Sequence, residues 1–224
     1  MPPRAGPKTG RQTSNRRAGS VKRCQIRILA AAARRPYGRG MILLRHGQSA
    51  FNLHFTATRK DPGIVDAALT ELGHQQARAA AEQLAGARIG RILVSPYTRA
   101  LQTAAPVAAA IGVPVIVTPL VRERAAFACD IGTPRTALAD AWPGHDFAHL
   151  DEIWWPPMPE PAASVVDRAN LFRAEMAALP DWRDTLVVTH WGFIMALTGI
   201  SVPNGEQLRF DPTAAPPETI PWKV

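Results

Sequence analysis

The chain has 224 residues, room for one ordinary domain with short appendages. Hydrophobic residues make up 46% of it and charged residues 20%, which excludes a wholly disordered chain or a coiled coil. No apolar run approaches the roughly 18 residues that a membrane-spanning helix needs. Charge divides the chain more sharply than composition does. Residues 1–40 carry nine Arg, two Lys and no acid, a net +11, whereas residues 41–224 carry fifteen Lys and Arg against eighteen Asp and Glu, a net −3. The overall +8 therefore belongs to the first 40 residues and is no ground for expecting a specific nucleic-acid binder.

Residues 1–40 are rich in Arg, Ala, Gly and Pro and have no sustained apolar period, so they cannot bury enough surface to offset their ordering entropy. They read as a basic, disordered N-terminal extension to a domain spanning 41–224. Two other readings stay open. An acid-free, Arg-rich start also looks like a transit peptide. Met41, where composition and charge both change, is a candidate true start. A secretory signal fits poorly because Arg27 interrupts the short apolar stretch from Ile26 to Ala33.

Beyond Met41 strand-like and helix-like segments alternate. Ile42 to Leu44 is a short apolar strand ending at Arg45-His46-Gly47. Thr70 caps a predicted helix to about Leu84, with Leu72, Gln76, Ala80 and Leu84 along one face. Ile92 to Val94 reads as a second strand, ending at Ser95-Pro96. A helix follows from about Thr98 to Ile111, stopped by Gly112 and Pro114. Val113 to Val117 is short and β-branched, a third strand. Thr133-Pro134 reads as an N-cap followed by proline, opening a helix to about Trp142. Ser164 and Asp167 have capping-box spacing ahead of a helix to Leu179. Leu186 to Val188 is a fourth strand, followed by Thr189-His190-Trp191-Gly192 and more helix. From about Val202 the chain is Pro-rich and reads as irregular. Strands separated by helices of this length predict an α/β fold with a mostly parallel sheet covered on both faces.

Ligands of open α/β sheets bind beyond the carboxyl ends of the strands, and three strand ends here carry reactive residues. The first delivers Arg45, His46 and Gly47; the second delivers Ser95, with Arg99 one turn into the next helix; the fourth delivers His190. A single histidine after a strand is more often structural than catalytic, but the pattern occurs twice. Two guanidiniums in one pocket imply a dianion, because the planar fork of arginine matches phosphate oxygens. Positive charge beside an imidazole keeps it neutral, and a neutral imidazole has a lone pair with which to attack phosphorus. Such a site also needs an acid for the leaving alkoxide. Metal-assisted hydrolysis competes weakly: there is no H-E-x-x-H, and His54, His74, His145 and His149 form no compact ligand set in sequence. No metal or other cofactor is expected.

Leu44-Arg45-His46-Gly47-Gln48-Ser49, with Asn52 following, resembles the signature of the histidine phosphatase superfamily, the phosphoglycerate mutase-like proteins. Leu69-Thr70-Glu71-Leu72-Gly73 with Gln76-Ala77, Ser95-Pro96-Tyr97-Thr98-Arg99-Ala100 with Gln102-Thr103-Ala104, and Val187-Val188-Thr189-His190-Trp191-Gly192 are similar to three further landmarks of that family, in the same order. The resemblance covers about Met41 to Gly199. It implies a three-layer sandwich around a mostly parallel sheet, and a metal-independent phosphatase acting through a phosphohistidine.

The resemblance also implies residue roles. His46 becomes the nucleophile, Arg45, Arg99 and His190 hold the phosphoryl group, and Asn52 assists. Gly47 belongs to the same motif. Glu123, in Val121-Arg122-Glu123-Arg124, best matches the family's proton donor, with Asp130 as the alternative; an ion pair with an adjacent arginine would disable Glu123 as an acid. Two departures from the family's pattern stand out. Arg59 lies seven residues after Asn52, where an arginine usually comes four or five after. Trp191 stands where many members have glycine, and it either narrows the pocket or packs beneath it.

Trp154-Trp155, among the prolines at 156, 157, 159 and 161, read either as core or as a stiff aromatic rim for an apolar or sugar-like leaving group. The expected partner is a small phosphorylated substrate. A mutase-type phosphotransferase and a catalytically silent binding protein of the same fold are the alternatives. The two cysteines, Cys24 and Cys129, are too few for a disulfide framework, which fits a reducing, cytoplasmic setting. Nothing in the sequence specifies an oligomeric state.

Overall fold

The computed structural model describes residues 40–222; the extension expected at residues 1–40, apart from Gly40, lies outside the described residues. Five strands form one open sheet: β1 (Met41–Arg45), β2 (Arg91–Val94), β3 (Val115–Val117), β4 (Thr185–Thr189) and β5 (Gln207–Phe210). Their order is β3-β2-β4-β1-β5; the first four are parallel, and β5 runs antiparallel to β1 at the edge. The helices are α1 (Ala50–Thr58), α2 (Glu71–Leu84), α3 (Thr98–Ile111), α4 (Arg135–Ala141), α5 (Ala162–Ala177) and α6 (Trp191–Thr198). None of the described helices is long and apolar enough to cross a membrane.

Strand pleating sends alternate side chains to opposite faces. Ile42, Leu44, Ile92, Val94, Leu186 and Val188 join one core cluster with Ala80, Ala81 and Leu84 of α2 and Ala100, Leu101 and Ala104 of α3. Leu43, Leu93 and Val187, on the other face, are also fully buried. Helix α6 packs against β1 and against α5. A sheet buried on both faces explains why its strands read as continuous apolar runs rather than alternating ones.

Register brings the strand ends together. Arg45 pairs with Thr189 and Val94 with Val188, so β1, β4 and β2 finish side by side and release His46, His190 and Ser95 at one edge. Gly47 and Gly73 let the start of α2 lie on the loop after β1: a Cβ on either would collide with a backbone carbonyl of the other segment. The Gln76 side chain accepts the Gln48 amide at 2.8 Å and secures that loop.

Several sequence expectations need correction. Leu72 is 48% exposed, and the buried face of α2 is Gly73, Ala77, Ala80, Ala81 and Leu84. Small residues win that face because α2 packs closely on the alanine-rich α3. The Thr133 hydroxyl does not cap α4; it donates to Asp66 at 2.6 Å, and Pro134 takes the N-cap position. No capping box forms at Ser164, because α5 already begins at Ala162 and the Ser164 hydroxyl donates to Glu160 at 3.3 Å. The segment after Val202 contains β5, whose four residues bury only Phe210 and so carried no periodic signal. Helix α1 also went unread. Its Ser49 side chain and Asn52 cap each other reciprocally, a device worth about 1 kcal/mol.

Candidate active site

A cavity of about 430 Å³ opens at the shared strand ends, lined by Arg45, His46, Asn52, Arg59, Arg99, Glu123, Asp130 and Trp191 among others. Those are eight of the ten residues singled out in the sequence. Gly47 and His190 lie behind the lining. The Gly47 amide donates to Thr103 Oγ1 at 3.0 Å, and the His190 ring centroid is 5.0 Å from that of His46.

His46 is only 3% exposed, and its Nδ1 is 2.7 Å from the Gly47 carbonyl. A carbonyl can only accept, so Nδ1 carries the hydrogen and Nε2 keeps its lone pair. Burial, then the guanidiniums of Arg99 and Arg45, hold the His46 pKa well below its ordinary value, so the ring is neutral at pH 7. His190 is held down in the same way, by burial first and Arg99 second. Its Nε2 lies 2.7 Å from the Ser95 hydroxyl, while its Nδ1 is buried without a partner among the described residues.

Arg45 donates from Nη1 to the Val202 carbonyl at 2.7 Å, but its Nε is likewise buried and unpaired among the described residues. Burial lowers its pKa to about 10, which still leaves it charged at neutral pH. Arg99 is fixed by the Cys129 carbonyl at 2.7 Å and by Asp130 Oδ1 at 3.0 Å. Burial alone would lower its pKa, but the Asp130 carboxylate reverses the shift and raises it. Asp130 is committed elsewhere as well: its Oδ2 accepts the amides of Ala126 and Phe127. It is an anchor for Arg99 more than a free acid.

Glu123 is placed differently. Neither neighbouring arginine pairs with it; Arg122 binds Glu160 at 2.8 Å, and Arg124 donates from Nε to the Glu160 carbonyl at 3.2 Å. One oxygen of Glu123 accepts the amides of Arg124 and Gly192, each at 2.8 Å. Gly192 is glycine for a reason of space, since a Cβ there would collide with that oxygen. Closed in by protein and facing the charge of Asp130, the Glu123 carboxyl is pushed up to about 7, against the opposing pull of the Arg124 amide, Arg99 and Arg45. The segment itself is clamped from behind. Arg168, 8% exposed, donates to the carbonyls of Leu120, Arg122 and Glu123 and pairs with buried Glu160.

Asn52 Oδ1 accepts the Ser49 amide and Asn204 Nδ2, which leaves its own amide hydrogens for the cavity. Asn204 was missed in the sequence. It lies in a Pro-Asn-Gly turn, donates also to the His46 carbonyl at 3.1 Å, and lines the cavity. Phe51, Phe55, Arg124, Phe127 and Gly192 were missed as lining too; the one-turn spacing of Phe51 and Phe55 was the available signal. Of the two readings of Trp154-Trp155, the structure bears out core and not rim. Trp154 is 7% exposed, packs on Tyr97 at 4.7 Å and donates to the Thr133 carbonyl, and neither Trp154 nor Trp155 borders the cavity. Trp191 does border it, held by a 2.9 Å hydrogen bond to Ser201. Among the described residues no three His, Cys, Asp or Glu side chains gather as a metal-ligand group.

The profile of the histidine phosphatase superfamily (branch 1) matches residues 41–215, and the chain belongs to that family. It is 33% identical over 178 residues to a glucosyl-3-phosphoglycerate phosphatase of Mycolicibacterium vanbaalenii, covering 74% of this chain and 77% of the relative. A Mycobacterium tuberculosis protein of the same description is 32% identical over 169 residues, covering 71% and 74%. The solved structure of a mycobacterial glucosyl-3-phosphoglycerate phosphatase superposes with a TM-score of 0.50 at 30% identity, covering 70% of this chain and 76% of the other.

Proposed function

We propose that the chain is a phosphoric monoester hydrolase that works through a phosphohistidine on His46. The observation that carries this reading is that two buried polar atoms near a neutral imidazole, Arg45 Nε and His190 Nδ1, have no hydrogen-bond partner among the described residues. Such groups cost about 1–3 kcal/mol each when left unsatisfied, and a phosphoryl oxygen is the partner they suit. In the tautomer whose Nε2 accepts the Ser95 hydroxyl, the ring proton of His190 sits on Nδ1, the form this reading assigns for contact with the phosphoryl group.

The substrate dianion is held by Arg45, Arg99, His190 and the Asn52 amide. Nε2 of His46 attacks phosphorus, the bond from phosphorus to the alcohol oxygen breaks, and Glu123 gives its proton to that oxygen. Glu123, now a carboxylate, takes a proton from water as the water oxygen attacks the phosphohistidine. The bond from phosphorus to nitrogen breaks, inorganic phosphate leaves, and Glu123 is again protonated. The fixed cations offset the charge on the transferring group throughout. Catalysis is assigned to the region from residue 41, with residues 1–40 as an appendage. Glucosyl-3-phosphoglycerate, the substrate in the names of the mycobacterial relatives, is one candidate substrate.

Two tests follow the geometry. Hydrolysis of phosphomonoesters is expected to continue in excess EDTA, because the guanidiniums of Arg45 and Arg99 supply the charge a metal would supply and the neutral His46 imidazole supplies the nucleophile. Loss of activity on chelation, restored by a divalent ion, contradicts this. Gly192→Ala is expected to push Glu123 aside and to lower kcat on alkyl phosphates by about tenfold or more, with little change on phosphates of acidic phenols. An equal loss on both substrate types would show that Gly192 serves only packing.

A further inference from the structure

The cavity is larger than a phosphoryl group requires, and three aromatic rings are part of its lining. Phe51 and Phe55 stack at 5.2 Å with ring planes 15° apart, and Phe127 meets them at 5.2 and 5.0 Å. Phe51 is buried, but Phe55 and Phe127 are only partly so, and all three line the cavity.

Two arginines border the same space. Arg59 ends α1 in the left-handed region, at φ 56°, and its guanidinium lies 5.8 Å from the Phe55 ring centre. Arg124 spends only Nε on the Glu160 carbonyl, and its guanidinium lies 5.1 Å from the Trp222 ring. Neither arginine forms an ion pair among the described residues, whereas Asp130 in the same wall is already paired with Arg99. The cavity thus combines partly exposed ring surface with two cations that have no carboxylate partner among the described residues.

We propose that the part of the cavity lined by Phe51, Phe55, Phe127, Arg59 and Arg124 is the leaving-group subsite for a phosphomonoester whose alcohol carries an aromatic ring and, beyond it, a carboxylate. The ring packs on Phe51, Phe55 and Phe127, and the carboxylate is held by Arg59 and Arg124. Aromatic rings gain from edge and offset contacts with other rings beyond their buried area. Guanidinium donors suit a carboxylate through charge-assisted hydrogen bonds. The inference rests on the phosphatase reading and favours a different substrate from glucosyl-3-phosphoglycerate, which carries a carboxylate but no aromatic ring.

Four esters separate the two components: n-butyl phosphate, its terminal-carboxylate analogue, phenethyl phosphate and its para-carboxylate. The matching phosphonates, which cannot be hydrolysed, are titrated calorimetrically against the full chain, and kcat/KM is measured for the esters. The para-carboxylate phenethyl phosphonate is expected to bind about tenfold tighter than the phenethyl compound, and that about tenfold tighter than the butyl one. In Arg59→Ala/Arg124→Ala the carboxylate preference is expected to fall to about onefold, and Phe55→Leu is expected to reduce the ring preference. Equal binding of all four phosphonates, or a carboxylate preference that survives the double substitution, overturns the subsite. The expected ranking of the phosphonates without hydrolysis of any ester would overturn the phosphatase reading and leave the subsite standing.

Discussion

His46→Ala is expected to reduce phosphomonoester hydrolysis by roughly 10⁴-fold or more, because it removes the atom to which phosphorus is transferred. Arg45, Arg99 and His190 remain in the variant, so substrate binding persists while turnover is lost. The substitution removes a buried ring at a strand end, outside the apolar core clusters, and the side-chain hydrogen bond it loses is the one to the Gly47 carbonyl. A melting temperature near that of the wild type is therefore expected, with phosphate analogues still bound. Unchanged activity would mean that water attacks phosphorus directly and that His46 only holds the substrate.

Glu123→Gln is expected to slow alkyl phosphates by about 100-fold or more, within the range usual for general acid catalysis. Alkoxides leave poorly and need the proton; phenolates of acidic phenols leave without it, so their transfer to His46 should lose much less. The burst phase isolates that step from hydrolysis of the phosphohistidine, which also uses Glu123. The pH profile carries a second signature. With its carboxyl at about 7, Glu123 is protonated and competent in mildly acid solution, and wild-type kcat/KM on alkyl phosphates should fall as pH rises through that value. The limb should vanish in Glu123→Gln. Stability follows the same sign: the contribution of the protonated carboxyl is complete below about pH 4.5 and is lost as pH rises through 7. Asp130→Asn should show no leaving-group dependence, since Asp130 faces Arg99. A selective loss in Asp130→Asn but not in Glu123→Gln would exchange their roles.

The sheet and the strand-end residues were legible because they obey local rules. Apolar runs end at Arg45-His46, at Ser95 and at His190, and parallel pairing alone brings those ends together. Helices α2 and α3 were legible from Thr70, Gly112 and Pro114, residues whose preferences are fixed by backbone geometry. What stayed hidden depends on distant partners. Nothing near Glu123 in sequence reports that Gly192 will hold it, or that Glu160 will draw off Arg122 and Arg168. Thr133 looked like a cap because its competing acceptor, Asp66, lies 67 residues away. Trp154 and Trp155 read equally as core or as rim because a short proline-rich aromatic run has no periodicity to say which way it faces. Here Tyr97 and the core behind it supplied enough apolar surface to take Trp154 in. The aromatic lining came from Phe51 and Phe55 on a nine-residue helix whose one cue was their one-turn spacing, joined by Phe127 from far along the chain.

The most direct measurement is a rapid chemical quench of the wild-type enzyme during its first turnover of a phosphomonoester labelled in the phosphoryl group. The label is expected on the protein, stable to base and labile to acid, in the peptide that contains His46, and absent from His46→Ala. Label on a serine or cysteine, or hydrolysis at full rate with no labelled protein at any quench time, would contradict a phosphohistidine mechanism.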